Sequence, residues 1–506
     1  MSVSIEFREL SASAEDLARL RTFYDTLYVG EFPDPDERES RENMERYLAL
    51  KAQGWYGRNN YHILLAEEDG RPVAGAILDY LAEANAGVLE FLVVAPHRRG
   101  VGLGTRVLGQ AEQQLEQDAQ RAGAGGVDCI AAEINDPFLP ASVRDNIDPF
   151  DRTAIWAAWG FGVLDFPYVQ PALSVAQKPV SCLLLGVKIF RPEYREGVPT
   201  PTVDTIVHEY LRWAMRIETP ESNTEFQEIR RYLRERRSVP VISLTRYIGR
   251  DPAAAVDVHE IREALDPDLE PALAVYRNAF PPGPTAVTSE AIRARLDRGG
   301  RARDGAYHLW ALRSVPGGAI EGMVSFFTLP GETGQPGTGF GGYIVLAGAL
   351  RGRGRLRSLI ARIEERMLLD GLGARGWYIE CERDSLQAAI FQRIGFREPD
   401  LTYHQPAIGV REGPLLRLLY KQFGRCYGPP SLTVAELLAA LRQIFRIVYG
   451  LDGGELEARL DRTGRQIAAW ADETVRWQAS GPRAAHRTES AGPGPGSGDP
   501  GSIPSP

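Results

Sequence analysis

Residues 99–105 have the composition of a loop that grips a phosphate group. The stretch "VVAPHRRGVGLGTRVL" at 93–108 places two arginines after an apolar run, and three glycines then alternate with Val101 and Leu103 ahead of an amphipathic segment. Glycines let a backbone approach a ligand closely, and the first amides of a helix point at an anion with the helix dipole behind them. The stretch therefore predicts a pyrophosphate-binding turn at the start of a helix.

Two other phosphate loops do not fit this spacing. A P-loop needs Gly-Lys-Ser/Thr after its glycines, and none follows here. A dinucleotide fingerprint needs G-x-G-x-x-G after the first strand of a βαβ unit, and Thr105 stands where its third glycine belongs. The spacing R-x-x-G-x-G, from Arg99 to Gly104, does fit. A glycine-rich turn beside two solvated arginines is the remaining alternative.

Two carboxylates on neighbouring predicted strands are candidates for a general base. Glu90 lies in the otherwise apolar "VLEFLVV" just ahead of the loop, where burial would raise its pKa and suit it to accept a proton. The alternative is an outward-facing surface carboxylate. Glu133, in "CIAAEIND", is the second candidate, and an edge or solvent-facing position is its alternative. His97, within the loop, is expected to be solvated.

The elements that position these residues occur twice. Four groups of residues recur in the same order at nearly constant separation: Arg8-Glu9 as Arg262-Glu263, Phe32-Pro33 as Phe280-Pro281, Arg99 as Arg351, and Phe161, Tyr168 and 170–172 as Phe396, Tyr403 and 405–407. Each copy alternates strand-like and helix-like runs. The chain is therefore predicted to be a tandem α/β protein that contains two copies of one domain.

The sequence suggests five segments. They are a first domain at 1–192, a helical connector at 193–250, a second domain at 251–424, a C-terminal helical segment at 425–478, and a tail at 479–506 that is rich in Gly, Pro and Ser and is expected to be disordered. The two helical segments are expected to pack between domains or subunits, and a homodimer is one expectation.

The second copy has lost part of the predicted chemistry. In "VLAGALRGRGRLRSLI", Leu356 replaces the last small residue of the loop, where we expect it to crowd a phosphate, and Gly342 stands at the position of Glu90. Arg353 and Arg355 add positive charge that could still attract a pyrophosphate. A structural relic is favoured over a second catalytic site.

The composition restricts the class of protein. With 506 residues, 43% hydrophobic and 25% charged, the chain reads as a soluble protein of more than one domain. A formal charge of −9 argues against a nucleic-acid partner, and four scattered cysteines without a C-x-x-C pair favour a reducing compartment. The N-terminus "MSVSIEFREL" does not have the pattern of a signal peptide, and "SCLLLGVKIF" is too short to span a bilayer. We expect a cytoplasmic protein with no membrane partner and no metal.

The run "LEFLVVAPHRRGVGLGTRVL" resembles motif A of the GNAT N-acyltransferases, and "AIWAAWGF" and "AIFQRIGF" resemble that family's helix ending in Gly-Phe. The resemblance covers about 3–190 and 256–423. It implies a tandem protein in which each mixed sheet is splayed between its fourth and fifth strands. The pantetheine arm of acetyl-CoA would lie in this splay and the pyrophosphate on the loop.

The resemblance also implies roles for particular residues. Those expected to hold acetyl-CoA are Val93 or Val94, through a backbone amide at the oxyanion, the loop residues Arg99, Gly100, Val101, Gly102, Leu103, Gly104 and Thr105, and the side chain of Asn135. The family's tyrosine acid falls at Trp156 in the first copy and Phe391 in the second, and neither can donate a suitable proton. Tyr168, water or no acid at all are the alternatives.

The expected function is transfer of an acetyl group from acetyl-CoA to a primary amine of a small molecule or peptide. Acidic residues in "YVGEFPDPDERES" at 28–40 could favour a cationic amine or could be solvated surface. A non-catalytic acyl-CoA-binding or regulatory protein is the alternative function, suggested by the missing tyrosine. A third hypothesis is that the two copies divide the work on a larger peptide.

Overall fold

The computed structural model describes residues 5–35, 38–139, 146–172, 178–281, 286–297, 301–302, 305–383, 385–406, 413–425, 430–468, 470 and 473–478. The predicted tail at 479–506 lies outside the described residues.

Two mixed sheets organise the described part of the chain. The first contains β1 (Ile5–Glu9), β2 (Asn60–Glu68), β3 (Arg71–Leu81), β4 (Ala86–Val94), β5 (Cys129–Asn135), β6 (Phe161–Leu164), β7 (Leu183–Ile189), β8 (Gly197–Pro199) and β9 (Ser238–Ser243). The second contains β10 (Asp257–Ile261), β11 (Arg301–Ala302), β12 (Gly305–Arg313), β13 (Gly322–Leu329), β14 (Gly337–Leu346), β15 (Ala374–Glu382), β16 (Tyr403–His404) and β17 (Leu415–Gln422).

Helices cover these sheets. The α-helices are α1 (Ala14–Phe23), α2 (Val29–Glu31), α3 (Arg41–Ala52), α4 (Leu103–Arg121), α5 (Pro149–Ala158), α6 (Thr200–Glu209), α7 (Thr224–Arg234), α8 (Leu244–Tyr247), α9 (Leu269–Ala279), α10 (Ser289–Asp297), α11 (Arg355–Leu369), α12 (Leu386–Gln392), α13 (Val434–Gln443) and α14 (Gly453–Ile467). Three π-helical turns follow α1, α6 and α13, at Tyr24–Tyr28, Tyr210–Ala214 and Ile444–Val448. No helix among the described residues is long and apolar enough to cross a bilayer.

The two sheets share one topology. The strand order is β1-β2-β3-β4-β5-β7-β6-β9-β8 in the first sheet and β10-β12-β13-β14-β15-β17-β16 in the second. In each, the first four strands of this order are antiparallel, the next neighbour is parallel, and antiparallel strands complete the set. The predicted tandem α/β class is confirmed.

A buried histidine bridge also repeats. His62 on β2 joins Glu9 (2.6 Å) to Asp118 at the end of α4 (2.7 Å). In the second domain, His308 joins Glu260 (2.5 Å) to Asp370 (2.9 Å). The equivalent of Glu9 is therefore Glu260, and the sequence match of Arg8-Glu9 to Arg262-Glu263 is displaced by three residues from the structural one.

Each sheet splays at the same place. β4 pairs with β5 only from Ala86 to Leu89, and β14 pairs with β15 only from Gly337 to Gly341. Beyond these points the two parallel strands separate, so backbone groups on their facing edges are left without strand partners. A register shift against the preceding strand marks each separation, with Glu90 as the extra residue in β4 and Gly342 in β14.

The helical segments pack onto the domains that precede them. Within 193–250, β9 pairs with β6 and β8 with β9, and α6 and α7 cover the first sheet through side chains such as Val203 and Phe226. Within 425–478, the described helices cover the second sheet through Leu437, Phe445 and neighbours. The domain boundaries themselves stay predictions.

The two domains meet at an apolar contact. Phe138 and Phe150 of the first domain are buried with Ile248 and Trp377 in one cluster that also holds α11. Asp136 accepts a hydrogen bond from the Tyr247 hydroxyl beside it (2.9 Å).

Candidate active site

The glycine loop joins β4 to α4 and keeps its amides open. Gly100 and Gly102 have φ angles of +76° and +79°, in the left-handed region that glycine favours. No side chain caps α4, and its first described helical hydrogen bond runs from the Arg106 amide to the Gly102 carbonyl (3.2 Å). The amides of Leu103, Gly104 and Thr105 thus belong to the first turn, whose donors have no acceptor within the helix. An added Cβ on Gly100 or Gly102 meets nothing within 4 Å, so a ligand can approach.

Gly104 serves packing rather than ligand approach. The indole of Trp159 lies against it and donates from Nε1 to the Thr105 hydroxyl (3.1 Å). The second domain has Leu356 at this position, and that side chain packs against the apolar core. The expectation that Leu356 crowds a phosphate therefore does not describe its place in the structure.

The loop arginines are already paired. Arg99 donates from Nε to the Val94 carbonyl (3.1 Å) and forms an ion pair with Glu31, while Arg98 pairs with Glu68. In the second domain Arg351 makes the same bond to the carbonyl that ends β14 (2.8 Å). This arginine closes the turn in both copies, so in the first loop the open amides and the helix dipole are the groups left to bind an anion.

Of the two oxyanion candidates, Val94 has the suitable amide direction. The Ala95 amide donates to the Val73 carbonyl (2.9 Å), and Val93 lies opposite Gly75 on β3. Alternate amides of a strand point to opposite edges, so the Val93 amide faces β3 and the Val94 amide faces the splay. Across that opening, Asn135 ends β5. Val101 is 69% exposed and offers its backbone alone.

Glu90 and Asp79 form a carboxyl pair at the bulge. Asp79 is 1% exposed on β3, and burial raises its pKa although the neighbouring carboxyl of Glu90 lowers it. Glu90 as a whole residue is partly exposed. Burial by the surrounding protein, followed by the charge of Asp79, raises the pKa of Glu90 well above its usual value. Sequence reasoning missed Asp79, although a carboxylate within the apolar "PVAGAILDYL" is the signal that identified Glu90.

Arg216 reaches the same place from the predicted connector. Its guanidinium lies 4.4 Å from the ring centroid of Tyr47, 4.7 Å from that of Trp55 and 5.1 Å from that of Tyr56, and it donates to the Tyr56 hydroxyl. Its charge acts on both Asp79 and Glu90. No local sequence signal identifies Arg216, because only the return of this segment over the first sheet brings it here.

Glu133 and Tyr168 are engaged with each other. The Tyr168 hydroxyl donates to Glu133 (2.5 Å), and Tyr210 donates to the other carboxylate oxygen (3.0 Å). The second domain contains the same arrangement, in which Tyr403 and Tyr449 donate to Glu380. Burial and then Glu133 raise the pKa of Tyr168 well above its usual value. Because the copy without Glu90 keeps this network, its geometry favours a structural role.

The residues at the position predicted for a tyrosine acid, Trp156 and Phe391, pack against other aromatic rings. Trp156 lies against Trp159 and Phe161, with ring centroids 5.3 Å and 4.7 Å away. Phe391 lies against Phe396 (5.3 Å) in the second domain. In the acidic stretch at 28–40, Glu31 pairs with Arg99 and Glu39 accepts from the Tyr47 hydroxyl (3.2 Å). These two carboxylates are thus paired within the first domain.

One group of side chains in the described residues has spacing suited to a metal. His259, Asp266 and Asp268 bring ligand atoms within 4.8 Å of one another. His259 bonds to Asp266 (2.8 Å), and Asp268 pairs with Arg313. The group lies on β10 and the turn after it, in the second domain, and the carboxyl pair of Asp79 and Glu90 lies in the first.

Comparison with models of protein families gives a match within the first domain. Residues 18–129 match the sequence model of the Acetyltransferase (GNAT) family, a range that includes Glu90 and the glycine loop. Similar solved structures include a tandem GNAT protein from the clavulanic acid biosynthesis pathway (14% identity, 84% of this chain and 100% of that chain, TM-score 0.27). Another is the PaiA N-acetyltransferase of Thermoplasma acidophilum in complex with coenzyme A (17% identity, 37% and 99%, TM-score 0.26). No curated protein sequence matches the chain significantly.

Proposed function

We propose that the first domain of this chain, a GNAT acetyltransferase domain, moves an acetyl group from acetyl-CoA to a primary amine of a small molecule or peptide by direct attack. The observation that carries this proposal is one juxtaposition. Glu90, a carboxyl with a raised pKa, lies on the strand whose edge loses its partner after Leu89 and which leads through the glycine loop into an uncapped helix start.

The residues present fit the parts of acetyl-CoA. The amides of 103–105 suit the pyrophosphate, and the splay between β4 and β5 leaves backbone donors for the amide-containing arm. Acetyl-CoA supplies the acyl group as a thioester, which an amine can attack without a covalent enzyme intermediate. Acetyl-CoA-binding roles for Arg99 and Asn135 stay predictions, and the pairing of Arg99 with Glu31 supports a role in holding the loop.

Two groups of this domain would act on the reacting atoms. In its deprotonated form Glu90 accepts a proton from the attacking amine, and its raised pKa makes it a stronger base than an ordinary carboxylate. The Val94 amide donates a hydrogen bond to the oxygen that becomes negative during attack. No acid side chain stands at 156, so the departing thiolate takes its proton from water.

The second domain is proposed to be non-catalytic. Its bulge residue is Gly342, and the position of Asp79 holds Phe327, so both carboxyls are lost together. An added Cβ on Gly354 would also lie within 4.0 Å of Arg246 and Ala254, which lie beside the start of α11.

A pair of equivalent substitutions tests the site. Gly102→Glu and Gly354→Glu each place a bulky anion at a left-handed position before a helix, with φ of +79° and +76°. We expect calorimetric titration with acetyl-CoA to give one site, which Gly102→Glu abolishes and Gly354→Glu preserves. Two equal sites, or unchanged affinity in Gly102→Glu, would contradict the assignment.

A thiol-release assay against amine, amino-acid and peptide panels tests the chemistry. Glu90→Gln should bind acetyl-CoA normally and transfer roughly 10²-fold more slowly or worse, the usual size for a lost general base. Transfer at the full rate would remove Glu90 from this role. No release with any acceptor, together with tight acetyl-CoA binding, would favour the non-catalytic binding protein.

A further inference from the structure

Buried polar atoms without a partner gather beside Glu90. Within the described residues, the Tyr61 hydroxyl, Oδ2 of Asp79, and Nε and Nη1 of Arg216 are buried and make no hydrogen bond. Tyr61 and Asp79 are each 1% exposed and lie directly opposite each other on β2 and β3. A buried polar atom without a partner is unfavourable, because folding removes it from water without replacing its hydrogen bond. Several at one place indicate a polar group that the chain itself does not supply.

The backbone at Arg216 gives a second, independent observation. Arg216 has φ +56°, a conformation that favours glycine, and lies two residues past the π-helical turn after α6. Two residues past the matching turn after α13 stands Gly450, with φ +70°. An arginine held in this strained conformation, where the repeat has glycine, is typical of a functional position.

The aromatic rings fix the direction of this arginine. Tyr47, Trp55 and Tyr56 surround the guanidinium, and only Nη2 is engaged, with the Tyr56 hydroxyl. Nε carries one hydrogen and Nη1 carries two, and none of these three is used. Nη2 gives one of its two hydrogens to Tyr56, so its other hydrogen and one on a neighbouring nitrogen form an edge that matches the two oxygens of a carboxylate.

The atoms without hydrogen-bond partners indicate a ligand that has both hydrogen-bond donors and acceptors. Arg216 and Tyr61 offer hydrogens and need an acceptor, whereas Asp79 and Glu90 offer oxygens and need a donor. An amine satisfies the carboxyl side and a carboxylate satisfies the other. We infer that the acceptor is an amino acid or a similar small zwitterion, whose amine lies at Glu90 and whose carboxylate is bound by Arg216. This inference rests on the proposed acetyl transfer and names its substrate class.

Paired acceptors test the inference. Lysine, tyrosine and leucine are compared with their decarboxylated amines, 1,5-diaminopentane, tyramine and 3-methylbutylamine, in the thiol-release assay. We expect the carboxylate form of at least one pair to be preferred at least 10-fold in kcat/KM. Equal or better use of the decarboxylated amines in every pair would overturn the inference, while acetyl transfer itself would still be supported.

Arg216→Gly is the informative variant, because it installs the residue of the repeat and removes the strain. It should raise KM for the preferred amino acid at least 10-fold, abolish the preference within the pair, and leave acetyl-CoA affinity and Tm unreduced. Arg46→Met is the control, since it removes an exposed guanidinium 5.4 Å from the Tyr47 ring and should change none of these. A preference that survives in Arg216→Gly would overturn the role of this residue.

Direct binding separates this inference from the proposed function. If no acceptor is acetylated, the same six compounds are titrated calorimetrically. Binding of an amino acid that is lost in Arg216→Gly would support the pocket without the transfer. Binding of none of the six would overturn it.

Discussion

The indole of Trp159 occupies the space that any side chain at Gly104 would need. A Cβ on Gly104 would lie 2.8 Å from Cζ2 of Trp159, so the first turn of α4 and the end of α5 fit together only because residue 104 is glycine. Because it has no side chain, Gly104 thus fixes the loop through its contact with Trp159.

Gly104→Leu, which copies Leu356 of the second domain, should displace Trp159 and break its bond to Thr105. We expect a loss of about 1–3 kcal/mol in the free energy of unfolding, as for other overpacked sites, and weaker acetyl-CoA binding. Gly109→Leu is the matched control on the same helix, since an added Cβ there meets nothing within 4 Å. Chemical denaturation measures the free energy of unfolding of both variants. Equal stability of the two would show that the contact between Gly104 and Trp159 is unimportant.

Tyr168→Phe and Tyr403→Phe should have similar effects on stability. Each removes a hydroxyl that is buried and donates to a partly buried carboxyl at 2.5 Å, so each should cost about 1–3 kcal/mol. We expect Tyr168→Phe to keep most of its acetyl transfer. If its transfer collapses while Tyr403→Phe remains fully active, Tyr168 is the acid and the structural interpretation is wrong.

His308→Asn should remove the bridge between Glu260 and Asp370. Burial lowers the pKa of His308, but its hydrogen bonds to the two carboxylates outweigh this and raise it above 6.5. A raised pKa means that the bridge stabilises most below pH 6.5 and that this contribution is lost as the pH rises through the folded-state pKa. We therefore expect a cost of about 3 kcal/mol near pH 6 that shrinks at higher pH.

The control for this bridge is His259→Asn. His259 is 46% exposed and bonds to Asp266 at the surface, so its loss should cost less than about 1 kcal/mol. Urea denaturation of both variants between pH 6 and 9 makes the comparison. A His308→Asn cost that does not depend on pH would show that the charge of the imidazole is not involved.

Asp136→Asn should make the free energy of unfolding of the protein less dependent on pH. Burial raises the pKa of Asp136 from 3.8 to about 6, more than its bonds from the Phe138 amide and the Tyr247 hydroxyl lower it. The folded state thus binds the proton more tightly, and stability falls as the pH rises from about 4 through about 6. Relative to the natural chain, Asp136→Asn should gain up to about 3 kcal/mol between pH 4 and pH 7. The free energy of unfolding of the two proteins is measured by denaturation from pH 4 to pH 7. Parallel dependences on pH would contradict the prediction.

The sequence alone determined the tandem α/β organisation, and it predicted the glycine loop and Glu90 as parts of the site. These are readable because glycine spacing, strand alternation and a carboxylate in an apolar run are local consequences of backbone geometry and desolvation. The repeat also identified what the second copy lacks, since Gly342 replaces Glu90 at the same bulge.

Only the tertiary structure decided which side chains lie beside Glu90. Asp79 comes from the neighbouring strand and Arg216 from a segment more than 100 residues further along, and sheet pairing and helix packing bring them together. The same is true of Arg99, predicted to hold acetyl-CoA, and of Tyr168, an alternative for the acid. The structure pairs Arg99 with Glu31 and Tyr168 with Glu133. Charged and polar side chains extend several ångströms and pair with groups that are close in space. The spacing of residues along the sequence does not show which groups the fold brings close together.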